Sequence, residues 1–260
     1  MRPEVESVSE PAPKVLSYLK KDVIRNALDI WALTKERNRY SLKVCRLGTE
    51  VKAHVGIYNT PEAQYTSLGG DIAAAEALLP YIPSKAALTI PPGLSELVRT
   101  KVRPDAEYPN DIMLVRRGEE RLENTGSARR LGLEDFGQYS TFGSSFNVGE
   151  ASDQWAKDRL SKNAIFGAYG MDKLVSVASL AAWLPEVSVI LGVETKVEYR
   201  RRGFGRMVVS KAVLEALRRS KSCSLFVRSD NHEAISLYRK LGFKKVGEEL
   251  WVDIGTGIVP

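Results

Sequence analysis

Apolar and polar positions follow two rhythms along this 260-residue chain, one with the period of helices and one with that of strands. Val15, Leu19, Val23, Ala27 and Trp31 recur at every fourth position, which predicts one amphipathic helix over 14–38. Residues 40–47 and 51–58 read as strands joined through Gly48, Thr49 and Glu50. Asp71 stands where it caps a short helix that Pro80 stops. The apolar runs 86–90, between Pro83 and Pro91, and 111–117 read as further strands. Polar residues then dominate 118–127, with Glu119, Glu120, Glu123, Asn124 and Gly126, and this stretch reads as a linker. A loop carrying Gly143, Ser144, Ser145, Asn147 and Gly149 precedes a helix over 152–161. Strands over 164–169 and 174–184 then turn through Gly170, Met171 and Asp172.

The chain is organised around the stretch 189–243. The β-branched run 187–193 reads as a buried strand and ends in a cation-rich glycine turn. Helical periodicity starts at once, with Phe204, Val208, Ala212 and Ala216 on one stripe and Val209, Val213 and Leu217 beside it. A helix start normally holds Asp or Glu, because its first N–H groups are unpaired and its dipole end is positive. Here it holds Arg200, Arg201, Arg202 and Arg206. Four cations there repel that end unless an external anion joins them, and glycines let a phosphate approach the backbone closely. A solvated basic turn is the bland alternative. The dinucleotide fingerprint fails because Val208 stands where its third glycine belongs, and the Gly-Lys-Ser/Thr of a Walker loop is absent.

A second motif comes after a strand over 224–228: Asn231-His-Glu-Ala-Ile-Ser-Leu-Tyr-Arg-Lys-Leu-Gly-Phe243, with Gly242 placed to end a helix. Arg200-x-x-Gly203-x-Gly205 followed by Asn231-x-x-Ala234-x-x-Leu237-Tyr238-x-x-Leu241-Gly242-Phe243 resembles the acyl-CoA-binding core of the GNAT superfamily of N-acetyltransferases. The resemblance implies an α+β fold with a mixed central sheet flanked by helices, and it covers 128–260, where 128–136 resembles that family's first strand and helix entry. Residues 14–118 have a similar layout without the motifs. By likeness to GNAT proteins with a degenerate first half, they are expected to form a smaller α+β domain, behind a flexible leader over 1–13 and ahead of a linker over 119–127.

The same resemblance implies the site. Backbone groups of Val193, Glu194 and Thr195 would meet the pantetheine arm of acetyl-CoA where their strand splays from the next. Arg200, Arg201, Arg202, Gly203, Phe204, Gly205 and Arg206 would hold its pyrophosphate, and Asn231 would contact it while capping its helix. Tyr238 would protonate the leaving thiolate. The family's two usual positions for a general base hold Val189 and Phe226, which leaves Glu194 and Glu186 nearby or a water chain. The acceptor would be an amine, and its loop would include 143–149. A non-catalytic acyl-CoA-binding module and an enzyme for longer acyl chains are the alternatives.

Composition changes this little. Apolar residues make up 43% and charged residues 27%, as in a soluble globular protein. No run is long enough to span a membrane, and no apolar signal segment opens the chain. Cys45 and Cys223 are expected to be reduced, which points to the cytoplasm. The net charge of +6 is concentrated between Lys196 and Lys245. This suits a polyanionic cosubstrate better than nucleic acid, for which no basic run interleaved with aromatics exists. His54 has no Cys or His at metal spacing, so no metal is expected. A homodimer is compatible with the sequence.

Overall fold

A computed structural model describes residues 2–60, 63–122, 125–143, 153–162 and 164–258. The elements of the first half are β1 (Glu4–Val8), α1 (Pro13–Leu19), α2 (Ala27–Lys35), β2 (Tyr40–Leu47), β3 (Glu50–Asn59), β4 (Gln64–Gly70), α3 (Ile72–Glu76), β5 (Ala86–Ile90), α4 (Ser95–Lys101) and β6 (Ala106–Arg116). Those of the second are β7 (Arg129–Arg130), α5 (Phe136–Gly143), α6 (Asp153–Lys162), β8 (Ala164–Gly170), β9 (Lys173–Trp183), β10 (Ser188–Thr195), α7 (Phe204–Arg219), β11 (Ser222–Arg228), α8 (His232–Lys240) and β12 (Lys244–Ile254).

The two halves share one order of elements. Each runs strand, two helices, three strands, helix, strand, helix, strand. The pairing repeats as well. β2, β3 and β4 are antiparallel and β4 pairs parallel with β5; β8, β9 and β10 are antiparallel and β10 pairs parallel with β11. A parallel pair needs a crossover, which α3 and α7 supply. The first half thus carries the topology of the second without its motifs.

Two expectations about the N-terminus change. Residues 4–8, expected in a loose leader, form β1 and pair with β2 from Glu4↔Arg46 to Val8↔Leu42. The single helix expected over 14–38 is two, separated by a 3-10 turn at Lys20–Asp22. Buried Asn26 donates from its side chain to the Leu19 carbonyl, which fixes the break. The four-residue spacing runs through it because both helices bury the same side, Val15 and Leu19 on one and Ala27 on the other.

The chain forms two compact units that are not linear segments: Met1–Ile112 with Val227–Asn231 and Val246–Pro260, and Met113–Phe226 with His232–Lys245. The residues expected as one domain over 128–260 are therefore divided. In unit 1, β12 pairs antiparallel with β5 from Leu250↔Ile90 to Ile254↔Ala86. Its Val252 is fully buried in a core with Leu68, Leu88 and Ile90 of the sheet, Ala75 of α3 and Val98 of α4. In unit 2, α7 packs on β8, β9 and β10. Phe142 of α5 and Leu160 of α6 meet Ile165 and Val177 in an apolar cluster. Among the described residues no helix is long and apolar enough to cross a membrane, and Cys45 and Cys223 are both buried and free.

Candidate functional site

The site is built on β10 of unit 2. β10 pairs with β11 at Ser188↔Cys223, Val189↔Ser224 and Ile190↔Leu225, and the pairing stops there although both strands run on. On its other edge β10 pairs with β9 at Leu191↔Ser179 and then at Glu194↔Val177. Gly192 and Val193 thus face a single residue, Ala178, which makes a β-bulge. Gly192 has φ +59°, where only glycine sits without strain. A lone glycine in an apolar strand is the sequence signal of a bulge, so this feature was legible and was missed.

Beyond Thr195 the chain makes a 3-10 turn at Val197–Tyr199 and enters α7 through Gly203, at φ +86°. No side chain caps α7, and its first turn holds no acid. Its leading N–H groups therefore keep their positive end uncompensated. A side chain placed on Gly203 would meet nothing within 4 Å, so space lies open at that end.

The arginines of the turn divide their work. Arg200 donates from Nε to the Thr195 carbonyl at 3.1 Å, Arg202 stacks its guanidinium 5.5 Å from the Tyr199 ring centre, and Arg201 pairs with Glu233 at 2.5 Å. Arg201 also adopts φ +64°, unusual for a residue with a side chain. Arg206 is half-buried on the first turn of α7. Thr195 is fixed in turn by Ser176, whose Oγ lies 2.8 Å from both Thr195 Oγ1 and the Glu194 carbonyl. Ser176 has no motif to announce it.

Glu194 is half-buried, and burial pushes its carboxyl up to about 7 while Arg200 pulls the other way. Glu186 lies before β10, at the end opposite the bulge. Val189 is fully buried. Tyr238 is only 5% exposed, on α8, with its ring 5.9 Å from Phe243. Burial raises its hydroxyl well above the ordinary tyrosine range. That hydroxyl makes no hydrogen bond among the described residues. Gly242 closes α8 at φ +99°, as its place in the motif implies. Val193, Glu194, Thr195 and the residues from Arg200 to Arg206 thus form one continuous segment, and Tyr238 lies in the same unit. Asn231, whose N–H donates to the Arg228 carbonyl, falls in unit 1. Residues 144–149 of the expected acceptor loop lie outside the described residues. Among the described residues no group of three or more His, Cys, Asp or Glu could hold a metal ion.

Residues 168–252 match the family model described as FR47-like protein. No curated protein matches the chain. Among solved structures, it is similar to a Drosophila structural-genomics protein at 16% identity and a TM-score of 0.67, covering 94% of this chain and 87% of that one. It is similar to a GCN5-related N-acetyltransferase-like protein of Streptococcus suis at 16% identity and a TM-score of 0.62, covering 92% and 98%. A tandem GNAT protein of the clavulanic acid biosynthesis pathway gives 13% identity and a TM-score of 0.58, covering 96% and 97%. At such identities the likeness establishes architecture. The chain has the GNAT fold, and its second repeat carries the FR47-like sequence pattern within it.

Proposed function

We propose that this protein is an N-acetyltransferase that uses acetyl-CoA and acts on an amine. The observation that carries the reading is one segment, 188–206, in which a bulged strand parts from its parallel neighbour and leads into an acid-free helix end entered through glycine. Acetyl-CoA, when bound, supplies the acetyl group as an activated thioester. The backbone of Val193, Glu194 and Thr195, where β10 parts from β11, receives the pantetheine arm as an added strand. An N–H at the bulge polarises the thioester oxygen. The amides of Arg201, Arg202, Gly203, Phe204, Gly205 and Arg206 hold the pyrophosphate, and the open space at Gly203 leaves room for it. Arg200 and Arg202 add positive charge at this end.

Glu194 takes a proton from the acceptor's ammonium, which frees the lone pair of the neutral amine that attacks the thioester. A carboxyl near 7 is ionised in part at neutral pH and holds a proton strongly enough to remove one. Tyr238 stays protonated at every working pH, as a proton donor to a departing thiolate must. The first repeat takes a supporting part. There β4 leads into α3 through Gly69, Gly70 and Asp71, with no cation, and a side chain on Gly69 would begin 2.6 Å from the His54 ring. The deep burial of Tyr238 favours a second reading, a module that binds acyl-CoA without turnover.

Calorimetric titration with acetyl-CoA, followed by a thiol-release assay on a panel of amines, separates the two readings. Micromolar binding with thiol release is expected. Binding with no release on any amine favours the module, and absence of binding overturns both.

A further inference from the structure

Unit 2 holds an open pocket of about 470 Å³ at the C-terminal end of α8, a volume within the range of small-molecule sites. Residues 118–121 form one wall, and the end of α8 with the residues just after it forms the other. Backbone fastens the two walls together. The Arg121 N–H donates to the Leu241 carbonyl at 3.0 Å, and a side chain on Gly242 would begin 2.5 Å from the Glu119 carbonyl, so only glycine lets the segment come this close. The fastening brings Arg121 and Arg239 to one pocket with Lys244, against the carboxylates of Glu119 and Glu120. Both carboxylates are engaged: Glu119 pairs with Lys244 at 3.3 Å, and Glu120 accepts from the Gly118 N–H at 2.5 Å. Among the described residues, the guanidinium groups of Arg121 and Arg239 have no hydrogen-bond or ion-pair partner. Cations in the last turn of a helix usually serve its free carbonyls. Here backbone N–H groups already do so, from Leu241 and Phe243 to the Tyr238 carbonyl and from Gly242 to the Arg239 carbonyl. The glycine turn of the candidate site lies at the other end of this helix, where Arg201 pairs with Glu233, and from Glu233 to Arg239 the axis rises about 9 Å.

We propose that this pocket binds a small phosphate monoester, with Arg121 and Arg239 converging on its phosphate group. Two like charges in one walled space repel each other, and an external anion between them turns that repulsion into attraction. A guanidinium presents its N–H donors in a planar fork that matches phosphate oxygens, so two of them on separate walls hold one group from two sides. A monoester carries close to two negative charges at neutral pH, one for each guanidinium. The volume leaves room for the organic part of the ester beside the phosphate. The site is independent of acyl transfer, since it uses no residue of the segment 188–206.

The test titrates the isotope-labelled full chain with glycerol 3-phosphate and follows arginine side-chain and backbone amide resonances. Saturable shifts centred on Arg121, Arg239, Gly242 and Phe243 are expected, with glycerol silent and dimethyl phosphate, a monoanion, about tenfold weaker. Arg121→Gln and Arg239→Gln should each weaken binding by about tenfold or more, since a hydrogen bond to a charged group amounts to about 10–100-fold. Both variants should keep the far-ultraviolet circular dichroism of the wild type, because both side chains are exposed. Unchanged affinity in the two variants overturns the inference. Shifts centred on Arg200 to Arg206 overturn it too, because they assign the anion to the glycine turn. Shifts that spread over exposed cations without saturating mark a solvated basic surface only, and equal affinity for dimethyl phosphate removes the monoester; either result overturns the proposal. A wild type that binds glycerol 3-phosphate here but not acetyl-CoA would bring down the transferase reading and leave this site standing.

Discussion

Two acids, one half-buried and one buried, make opposite use of the same physics. Burial pushes Glu194 and Glu249 each up to about 7. In the proposed mechanism the raised value at Glu194 serves proton transfer, so activity should fall as pH drops through about 7, where the carboxyl takes up a proton. Glu194→Gln should lower kcat by about a hundredfold and abolish that limb of the profile; a limb that persists assigns the base to another group. Glu249 is 6% exposed on β12, beside the hydrogen-bonded side chain of Asn110, whose Oδ1 has no donor. Its folded value lies above the unfolded one, so the folded state keeps a proton between about pH 4.5 and 7 that the unfolded chain has released. Stability therefore falls as pH rises through that window and stays lowered above it. Glu249→Gln removes the ionisation and gives Asn110 Oδ1 a donor. Urea unfolding should find the variant more stable than the wild type by roughly 1–3 kcal/mol at pH 8 and near it at pH 5. An equal difference at both pH values would refute this account.

At the scale of elements, the helix stripe 204–217 was legible because α7 buries one side against the sheet: Val208, Val209, Ala212, Val213 and Ala216 are fully buried. The turn before it was legible because four arginines at a helix start defy the dipole. What the sequence did not reveal was how those cations are placed, since Glu233, Tyr199 and the Thr195 carbonyl come near them only in the folded unit. Gly203→Glu tests the element as a whole. It puts a side chain at φ +86° and a negative charge in the open space at the end of α7. Acetyl-CoA affinity should fall below detection by titration while α7 keeps its far-ultraviolet circular dichroism; retained affinity would move the anion site elsewhere.

At the scale of the whole molecule, the second repeat ends in a strand that completes the sheet of unit 1. Val252→Asp would place an unpaired carboxylate in the core with Leu88 and Ile90, at a cost of roughly 3–5 kcal/mol. Amide exchange should show the resulting loss of protection in Ala86–Ile90 of β5 and Glu50–Asn59 of β3. Loss concentrated over 128–226 instead would mean that the second half holds its own last strand.

By itself the sequence determined the local elements and the cosubstrate chemistry expected of the second half. Hydrophobic period, glycine turns and the misplacement of charge at a helix start are local properties, and neighbours in the chain suffice to express them. The tertiary structure alone decided that 4–8 is a strand and that 246–260 belongs with unit 1, and it supplied the strand pairing behind the similar layout that the sequence suggested for the first half. Strand pairing joins residues far apart in the chain, and the alternation of a strand shows that it has a partner without showing which one.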